Sequence, residues 1–265
     1  MSVKKVETTV YDEQTAKDWD ATCNELDLRV VTYSRGRAKT STTLKLIPYG
    51  DLFVPEEEYD EYTEAVPYRK IYTYPNSIRS DYDASVFVRK HHPDKPKRIW
   101  NFDDDVLGFY KATGAGPVAV SVEEGMRHVF VLTQMAIDLG CTLYGLTLFR
   151  NILYYRENAP FSLNHYLEAT ALGYNECPHY AERLSYHWDV DLCFQALAKD
   201  RIILSSNMYS MQHAVSKNVL SENTKKYLEN KWGKKHLSFP LGKNKNYKMC
   251  CSVSRKSETI PPEYR

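Results

Sequence analysis

Residues 121–149 hold a helix with both ends marked by side chains, and a strand follows at once. Ser121 with Glu124 three residues on is a capping box, in which the hydroxyl takes an amide proton that the first helical turn leaves unpaired. Met126, Val129, Phe130 and Ile137 recur at helical spacing, and Gly140 supplies the stop. Leu143–Phe149 then reads as a buried strand with Gly145 inside it. The order repeats downstream. A helix from Asp189 to Lys199 places Val190, Cys193, Phe194, Leu197 and Ala198 on one face, and Arg201–Leu204 reads as the next strand. Upstream, Asp27–Tyr33 and Thr43–Ile47 read as strands around the polar loop Ser34-Arg35-Gly36-Arg37-Ala38-Lys39, and Arg98–Phe102 as another. Helices interleaved with strands predict an α/β domain: a mixed, mainly parallel sheet flanked by helices. With no repeat and no low-complexity linker, residues 1–265 are expected to form one domain with a basic C-terminal portion from about residue 211.

The 43% hydrophobic content of the 265 residues is enough for a real core and argues against disorder. Lys+Arg 35 against Asp+Glu 34 leaves a net charge of +1, so a polyanion has to be held by a local patch. The charge is uneven. Asp51–Glu64 carries seven acids and no base, whereas Met211–Arg265 carries twelve Lys/Arg against four acids, 12 − 4 = +8. Tyr227, Trp232, Phe239 and Tyr247 interleave those lysines, as a surface that tracks a nucleic-acid backbone and stacks on bases requires; a plain solvated face has the same composition. The 21 tyrosines, against 9 Phe and 4 Trp, favour wet aromatic grooves over an oily interior. No apolar stretch reaches the length of a membrane span, and the N-terminus lacks the apolar run of an export signal, so a cytoplasmic protein is expected. The six cysteines, Cys23, Cys141, Cys177, Cys193, Cys250 and Cys251, show no metal-binding spacing and are expected to be reduced thiols.

Chemistry concentrates at Asp103-Asp104-Asp105, which follows the strand Arg98–Phe102. Three carboxylates at a strand's carboxyl end raise one another's cost of ionisation unless solvent or a divalent cation relieves it. Oxygen ligands suit Mg²⁺ or Mn²⁺, whose remaining positions often go to substrate phosphates, while an acidic surface turn is the plain alternative. Arg35 and Arg37 follow the first strand, where a diphosphate often lies, and Arg79 reaches the same place if Ala84–Val88 packs on the sheet. Asp189 and Asp191 open the second helix, as an N-cap and a first-turn acid or as a general base at the cleft. His213 and His236 are candidate metal ligands or phosphate contacts. His91-His92 lies in a basic, proline-containing loop and reads as surface.

The succession of these segments resembles a known family. Thr32-Tyr33-Ser34-Arg35, the strand ending in Asp103-Asp104-Asp105-Val106, the helix Val129–Gly140 leading to Leu143-Tyr144-Gly145-Leu146, then Asn158-Ala159-Pro160-Phe161-Ser162-Leu163, Asp189-Val190-Asp191-Leu192 and Lys231-Trp232-Gly233-Lys234 occur in an order similar to that of the TET/JBP-associated glycosyltransferases. These are GT-A-like enzymes, often encoded by bacteriophages, that modify DNA bases. The likeness runs over roughly Leu26–Cys250 and implies a GT-A-like, Rossmann-type fold. The implied activity is transfer of a glucose- or arabinose-type sugar from a nucleotide-sugar, such as a UDP-sugar, to a 5-hydroxymethyl-pyrimidine of phage DNA, with 5-hydroxymethylcytosine the first choice. It implies Asp103 and Asp105 as ligands of Mn²⁺ or Mg²⁺, with His213 completing the shell and His236 in reserve. Tyr33, Arg35, Arg37, Arg79 and Asp104 would face the nucleotide, and Asp189, or else Asp191, would be the base.

Two other classes share parts of the pattern. A two-metal nuclease needs clustered carboxylates beside a basic surface, but it usually collects them from several strands rather than one triplet. A non-enzymatic DNA-binding or host-interaction protein needs only the basic arm.

Overall fold

The computed structural model describes residues 13–148, 157–181, 187–214, 221–234, 237–238 and 250–251. The chain runs α1 (Glu13–Glu25), β1 (Leu28–Tyr33), α2 (Thr42–Leu46), β2 (Asp51–Pro55), a 3-10 turn (Glu56–Glu58), α3 (Tyr59–Ala65), β3 (Ile71–Tyr74), α4 (Asp81–His91) and β4 (Arg98–Phe102). It continues through β5 (Val106–Thr113), β6 (Gly116–Val120), α5 (Val122–Leu139), β7 (Leu143–Leu148), β8 (Phe161–Ser162), β9 (Ala171–Asn175), α6 (Trp188–Lys199), β10 (Leu204–His213) and α7 (Glu222–Trp232). The short strands β11 (Leu237–Ser238) and β12 (Cys250–Cys251) pair with each other.

Ten strands form one sheet in the order β3-β2-β1-β4-β9-β7-β10-β5-β6, with β8 beside β10. Strands β1, β2, β3, β4, β7, β10 and β6 point one way and β9, β5 and β8 the other, seven against three, so the sheet is mixed and mainly parallel, as expected. The sheet cannot be flat. Asp103–Asp105 alone joins β4 to β5, yet four strand steps, about 19 Å, separate these strands along the order, and four peptide units reach only about 14 Å. A register shift in β10 between Ser206 and Ser210 marks the bend, and the Phe102 and Phe109 rings meet at 5.8 Å across it. The curl carries the end of β10 to the acidic triplet: His213 pairs with Val106, and the Ala214 N–H donates to the Asp105 carbonyl at 2.9 Å.

Alternation along the strands gives each face its own core. Leu28, Val30, Trp100, Phe102, Tyr144 and Leu146 pack under α1 and α5; Val31, Tyr33, Ile99, Leu143 and Leu172 pack under α4 and α6. Helix α5 follows its sequence signals: Ser121 Oγ accepts from the Glu124 N–H at 3.2 Å, and Gly140 closes the helix at φ 67°, which a side chain resists. The Glu124 carboxylate turns away from the cap and accepts from the Tyr209 hydroxyl at 2.6 Å, tying α5 to β10. At Gly145, in the middle of β7, an added Cβ would lie 2.5 Å from the Ala171 carbonyl, so the β7–β9 approach depends on glycine. Helix α6 is buried from Trp188 to Ala198 rather than on one stripe, because the sheet covers one side and α7 the other.

Three local expectations need correction. Thr43–Ile47 lies in and after helix α2, not in a strand. Its alternating apolar pattern gives way to a Ser41 cap on the Leu44 N–H at 3.2 Å, and to Thr43, whose hydroxyl donates to the Asp103 carbonyl at 2.5 Å and accepts from the Val106 N–H at 2.8 Å. The strand expected at Arg201 begins at Leu204 and runs to His213; Arg201 itself is a left-handed turn residue at φ 68°. Helix α6 is capped by His187, also left-handed at φ 59°, which leaves Asp189 inside the first turn.

Candidate functional site

The carboxyl ends of the parallel strands bring most of the predicted residues to one edge. β1 delivers Tyr33, Ser34, Arg35 and Arg37; β4 delivers Asp103, Asp104 and Asp105; the turn after β3 delivers Arg79, and α4 starts there with Asp81.

Asp104 locks the cationic loop to the triplet. Its Oδ2 accepts from the Ser34 hydroxyl at 2.7 Å and its Oδ1 from the Arg37 guanidinium at 2.5 Å. Because Ser34 spends its proton on Asp104, the Tyr62 hydroxyl, 2.7 Å away, donates to Ser34 and itself accepts from the Arg37 N–H at 3.1 Å. This is a closed ring of hydrogen bonds. Burial pushes the Tyr62 phenol up to about 12, which keeps it a donor. Asp104, 7% exposed with both oxygens taken, therefore clamps the loop and is not open to a nucleotide as expected.

The acidic stretch Asp51–Glu64 turns out to wrap this loop. Glu58 accepts from the Gly36 N–H at 2.6 Å, and Glu57 lies 3.3 Å from Arg79 and 4.0 Å from Arg35. Arg35 also donates to the Ile78 carbonyl at 2.5 Å, which draws the start of α4 over the loop. Arg35, Arg37 and Arg79 thus form one cationic wall, with Arg37 and Arg79 well exposed. Tyr33 differs from expectation: it is 5% exposed and forms the floor of the site rather than a nucleotide contact.

Asp103 and Asp105 remain for a ligand. Burial raises the Asp103 pKa well above the ordinary carboxylate value, and Asp105, Asp104 and Asp81 raise it further. Burial raises Asp105 as well, with His213 opposing. One buried oxygen of Asp105, Oδ1, has no hydrogen-bond partner, and neither does the amide oxygen of Asn101, a residue 2% exposed on the same face of β4 as Asp103. Crowded carboxylates with an unpartnered oxygen offer acceptors of the kind a divalent cation takes, although among the described residues only Asp51, His92 and Asp94 bring three ligand atoms within 4.8 Å of one another. His213 pairs with Val106 and acts electrostatically on Asp105, while His236 lies outside the described residues.

The two acids of α6 are engaged elsewhere. Asp189 accepts from the Tyr166 hydroxyl at 2.6 Å and from the Ala169 N–H at 3.2 Å. It thereby fixes the loop whose next carbonyl, on Thr170, takes the Asp103 N–H at 3.0 Å. Asp191 is fully buried and holds Trp232 Nε1 at 2.8 Å, Lys231 Nζ at 3.0 Å and Gln195 Nε2 at 3.0 Å. Neither carboxylate is open to an acceptor hydroxyl. The same contacts take Lys231 and Trp232 out of the expected stacking surface; Trp232 is 4% exposed and packs on Phe194. Phe239 and Tyr247 lie outside the described residues.

At the amino end of the sheet, ligand atoms of Asp51, His92 and Asp94 lie within 4.8 Å of one another. His92 Nδ1 accepts from the Asp94 N–H at 3.2 Å, so its Nε2 carries the proton and donates to Asp51 at 2.9 Å. Asp94 in turn pairs with Arg29 at 3.0 Å and Lys70 at 3.7 Å. Both ring nitrogens are committed to protein partners. Against expectation His92 is a core residue, 2% exposed, because the end of α4 drops it between Phe53 and Tyr72.

Among the described residues Cys23, Cys141, Cys177 and Cys193 form no disulfide. Among the described residues no helix is long and apolar enough to cross a membrane. Sequence reasoning missed Ser34, Tyr62, Glu57, Glu58 and Asp81. Ser34 lies inside the quoted segment Thr32-Tyr33-Ser34-Arg35, Glu57, Glu58 and Tyr62 in the acidic stretch Asp51–Glu64, and Asp81 two residues after Arg79, but nothing local to them gave these residues a part in the site.

No family model matches the chain, and no curated protein matches it. Matching solved structures include CMP:2-keto-3-deoxy-manno-octonic acid synthetase complexed with CTP. It is 13% identical, with coverage of 77% of this chain and 95% of that chain and a TM-score of 0.41. At this degree of similarity neither chemistry nor substrate follows from the likeness.

Proposed function

We propose that the protein is a divalent-cation-assisted glycosyltransferase that takes a sugar from a nucleotide-sugar at the carboxyl edge of its sheet. One observation carries the reading: Arg37, paired with Asp104, and Arg35 and Arg79, gathered at Glu57, share the carboxyl edge of the sheet with Asp103 and Asp105, whose carboxylates are crowded and, at Asp105, partly unpartnered. A diphosphate satisfies the arginines. Asp103 and Asp105, with His213 nearby, would hold Mn²⁺ or Mg²⁺, which supplies charge neutralisation for the leaving diphosphate. The Ser34–Tyr62–Asp104–Arg37 ring pre-orients Arg37 towards that anion. Asp189 enters as a positioning residue that sets the Asp103 backbone through Ala169 and Thr170. The proposed acceptor, the hydroxyl of a 5-hydroxymethyl-pyrimidine in DNA, follows from the resemblance of the motif order and not from the site geometry.

The test is mass spectrometry of nucleosides after incubating hydroxymethylated DNA with a panel of nucleotide-sugars and Mn²⁺. A hexose or pentose mass increment that disappears in Asp105→Asn supports the reading. Absence of any increment with every donor overturns the DNA acceptor, and strand cleavage without a donor would establish a nuclease instead.

A further inference from the structure

The parallel strands β1, β2 and β3 lie side by side, and a charged segment follows each at the same edge: Ser34–Lys39 after β1, the 3-10 turn Glu56–Glu58 after β2, and the turn carrying Asn76, Ile78 and Arg79 after β3. Register fixes the neighbours, with Tyr33 opposite Phe53 and Pro55 opposite Tyr74. The acidic turn therefore lies between the two segments that bear arginines. It is held there partly by its backbone, since the Glu57 N–H donates to Asn76 Oδ1 at 3.0 Å. Glu57 Oε1 faces two guanidinium groups, 3.3 Å from Arg79 Nη1 and 4.0 Å from Arg35 Nη1, and Glu58 Oε2 accepts from the Gly36 N–H at 2.6 Å. Two guanidinium groups and a loop N–H are the donors that a phosphate group takes. Packing does not demand these contacts. None of Glu56, Glu57 and Glu58 is buried, Arg79 is 66% exposed, and ion pairs so open to solvent add little to stability.

We propose that Glu57 and Glu58 hold the place of a phosphate group, and that a diphosphate binds by displacing the Glu56–Glu58 turn from Arg35, Arg79 and the Gly36 N–H. This inference rests on the diphosphate in the function proposed above, but not on the cation, the sugar or the acceptor. Other contacts hold the donors when the acids leave. Arg35 is tied to the Ile78 carbonyl and lies over the Tyr74 ring at 5.8 Å, while Tyr62 and Asp104 hold the backbone and the guanidinium of Arg37, next to Gly36. An entering anion thus meets donors that are already set, which lowers the ordering cost of binding. The acids also select, because a ligand needs more negative charge than one carboxylate to take both contacts.

The experiment titrates sodium pyrophosphate alone into the full chain by isothermal titration calorimetry, for wild type, Glu57→Gln, Glu58→Gln and Glu56→Gln. Glutamine keeps the shape of the side chain and removes its charge. Glu56 is exposed in the same turn, so Glu56→Gln makes the same change of net charge away from the contacts described above. The expected result is saturable binding to wild type, at least about threefold tighter in Glu57→Gln and in Glu58→Gln, and changed less than about 1.5-fold in Glu56→Gln. An unchanged circular dichroism spectrum shows that each variant folds. Equal gains in Glu56→Gln and Glu57→Gln overturn the proposal, because they mark a general effect of charge. Binding by Glu57→Gln no tighter than wild type overturns it too, as does failure of both to bind pyrophosphate. The expected pattern in a protein that transfers no sugar leaves this inference standing and removes the glycosyltransferase reading, whereas sugar transfer with equal pyrophosphate binding by all four proteins removes this inference alone.

Discussion

Asp103 shows how a single residue's cost can point to its use. Its pKa is raised from an ordinary value of 3.8 by burial and by three neighbouring carboxylates, so between that value and the folded one the native state binds more protons than the unfolded chain. The contribution of Asp103 to stability without a cation is therefore fully present at low pH and is lost as pH rises through that window. Asp103→Asn should raise the melting temperature of the cation-free protein at pH 8, with a gain that shrinks towards pH 4. Thermal scans across pH in a chelating buffer check this; a gain that is the same at every pH would show that ionisation of Asp103 is not the cause. Mn²⁺ should stabilise wild type by mass action and leave Asp103→Asn nearly unmoved. The residue type and its crowding by Asp105 and Asp104 were legible in the sequence, three acids after an apolar strand, but the largest part of the cost was not, since it comes from burial.

Elements meet where glycine or a cap permits it. The predicted helix α5 and strand β7 hold because their signals are local: a Ser121 cap, a Gly140 stop and an unbroken apolar run. Helix α2 failed as an expectation because its decisive contacts, from Thr43 to Asp103 and Val106, are about sixty residues distant in sequence. Gly145→Ala places a Cβ at 2.5 Å from the Ala171 carbonyl, and the β9 backbone cannot retreat without loosening from β4. It should cost about 1–3 kcal/mol in urea unfolding, whereas Ser121→Ala, losing one cap bond, should cost about 1 kcal/mol. Because β9 also carries Thr170 towards Asp103, Gly145→Ala should weaken Mn²⁺ binding as well, and Ser121→Ala should not.

Across the whole molecule, Asp191 joins the sheet layer to the C-terminal helix. Its buried carboxylate takes Lys231 and Trp232 from α7, so Asp191→Ala strands a buried cation and an indole N–H and should cost about 3–5 kcal/mol. Equilibrium unfolding followed by tryptophan fluorescence measures it, and a change below about 1 kcal/mol would show that α7 is not anchored there. A single transition by fluorescence and circular dichroism is expected in wild type, since α6 shares its burial with both layers. The amino-acid sequence by itself determined the α/β class, the ends of α5, the strand before the triplet, and a cationic loop after β1, because each depends on periodicity or on neighbours within one turn. Tertiary structure alone decided which charges share a site. The curl of the sheet sets His213 beside Asp105, α3 lends Tyr62 to the arginine clamp, α4 brings Asp81, and burial turns Asp191, Lys231 and Trp232 inward. Electrostatics and burial act through distance in space, and a chain that must curl to close a three-residue connection sets those distances only when it folds.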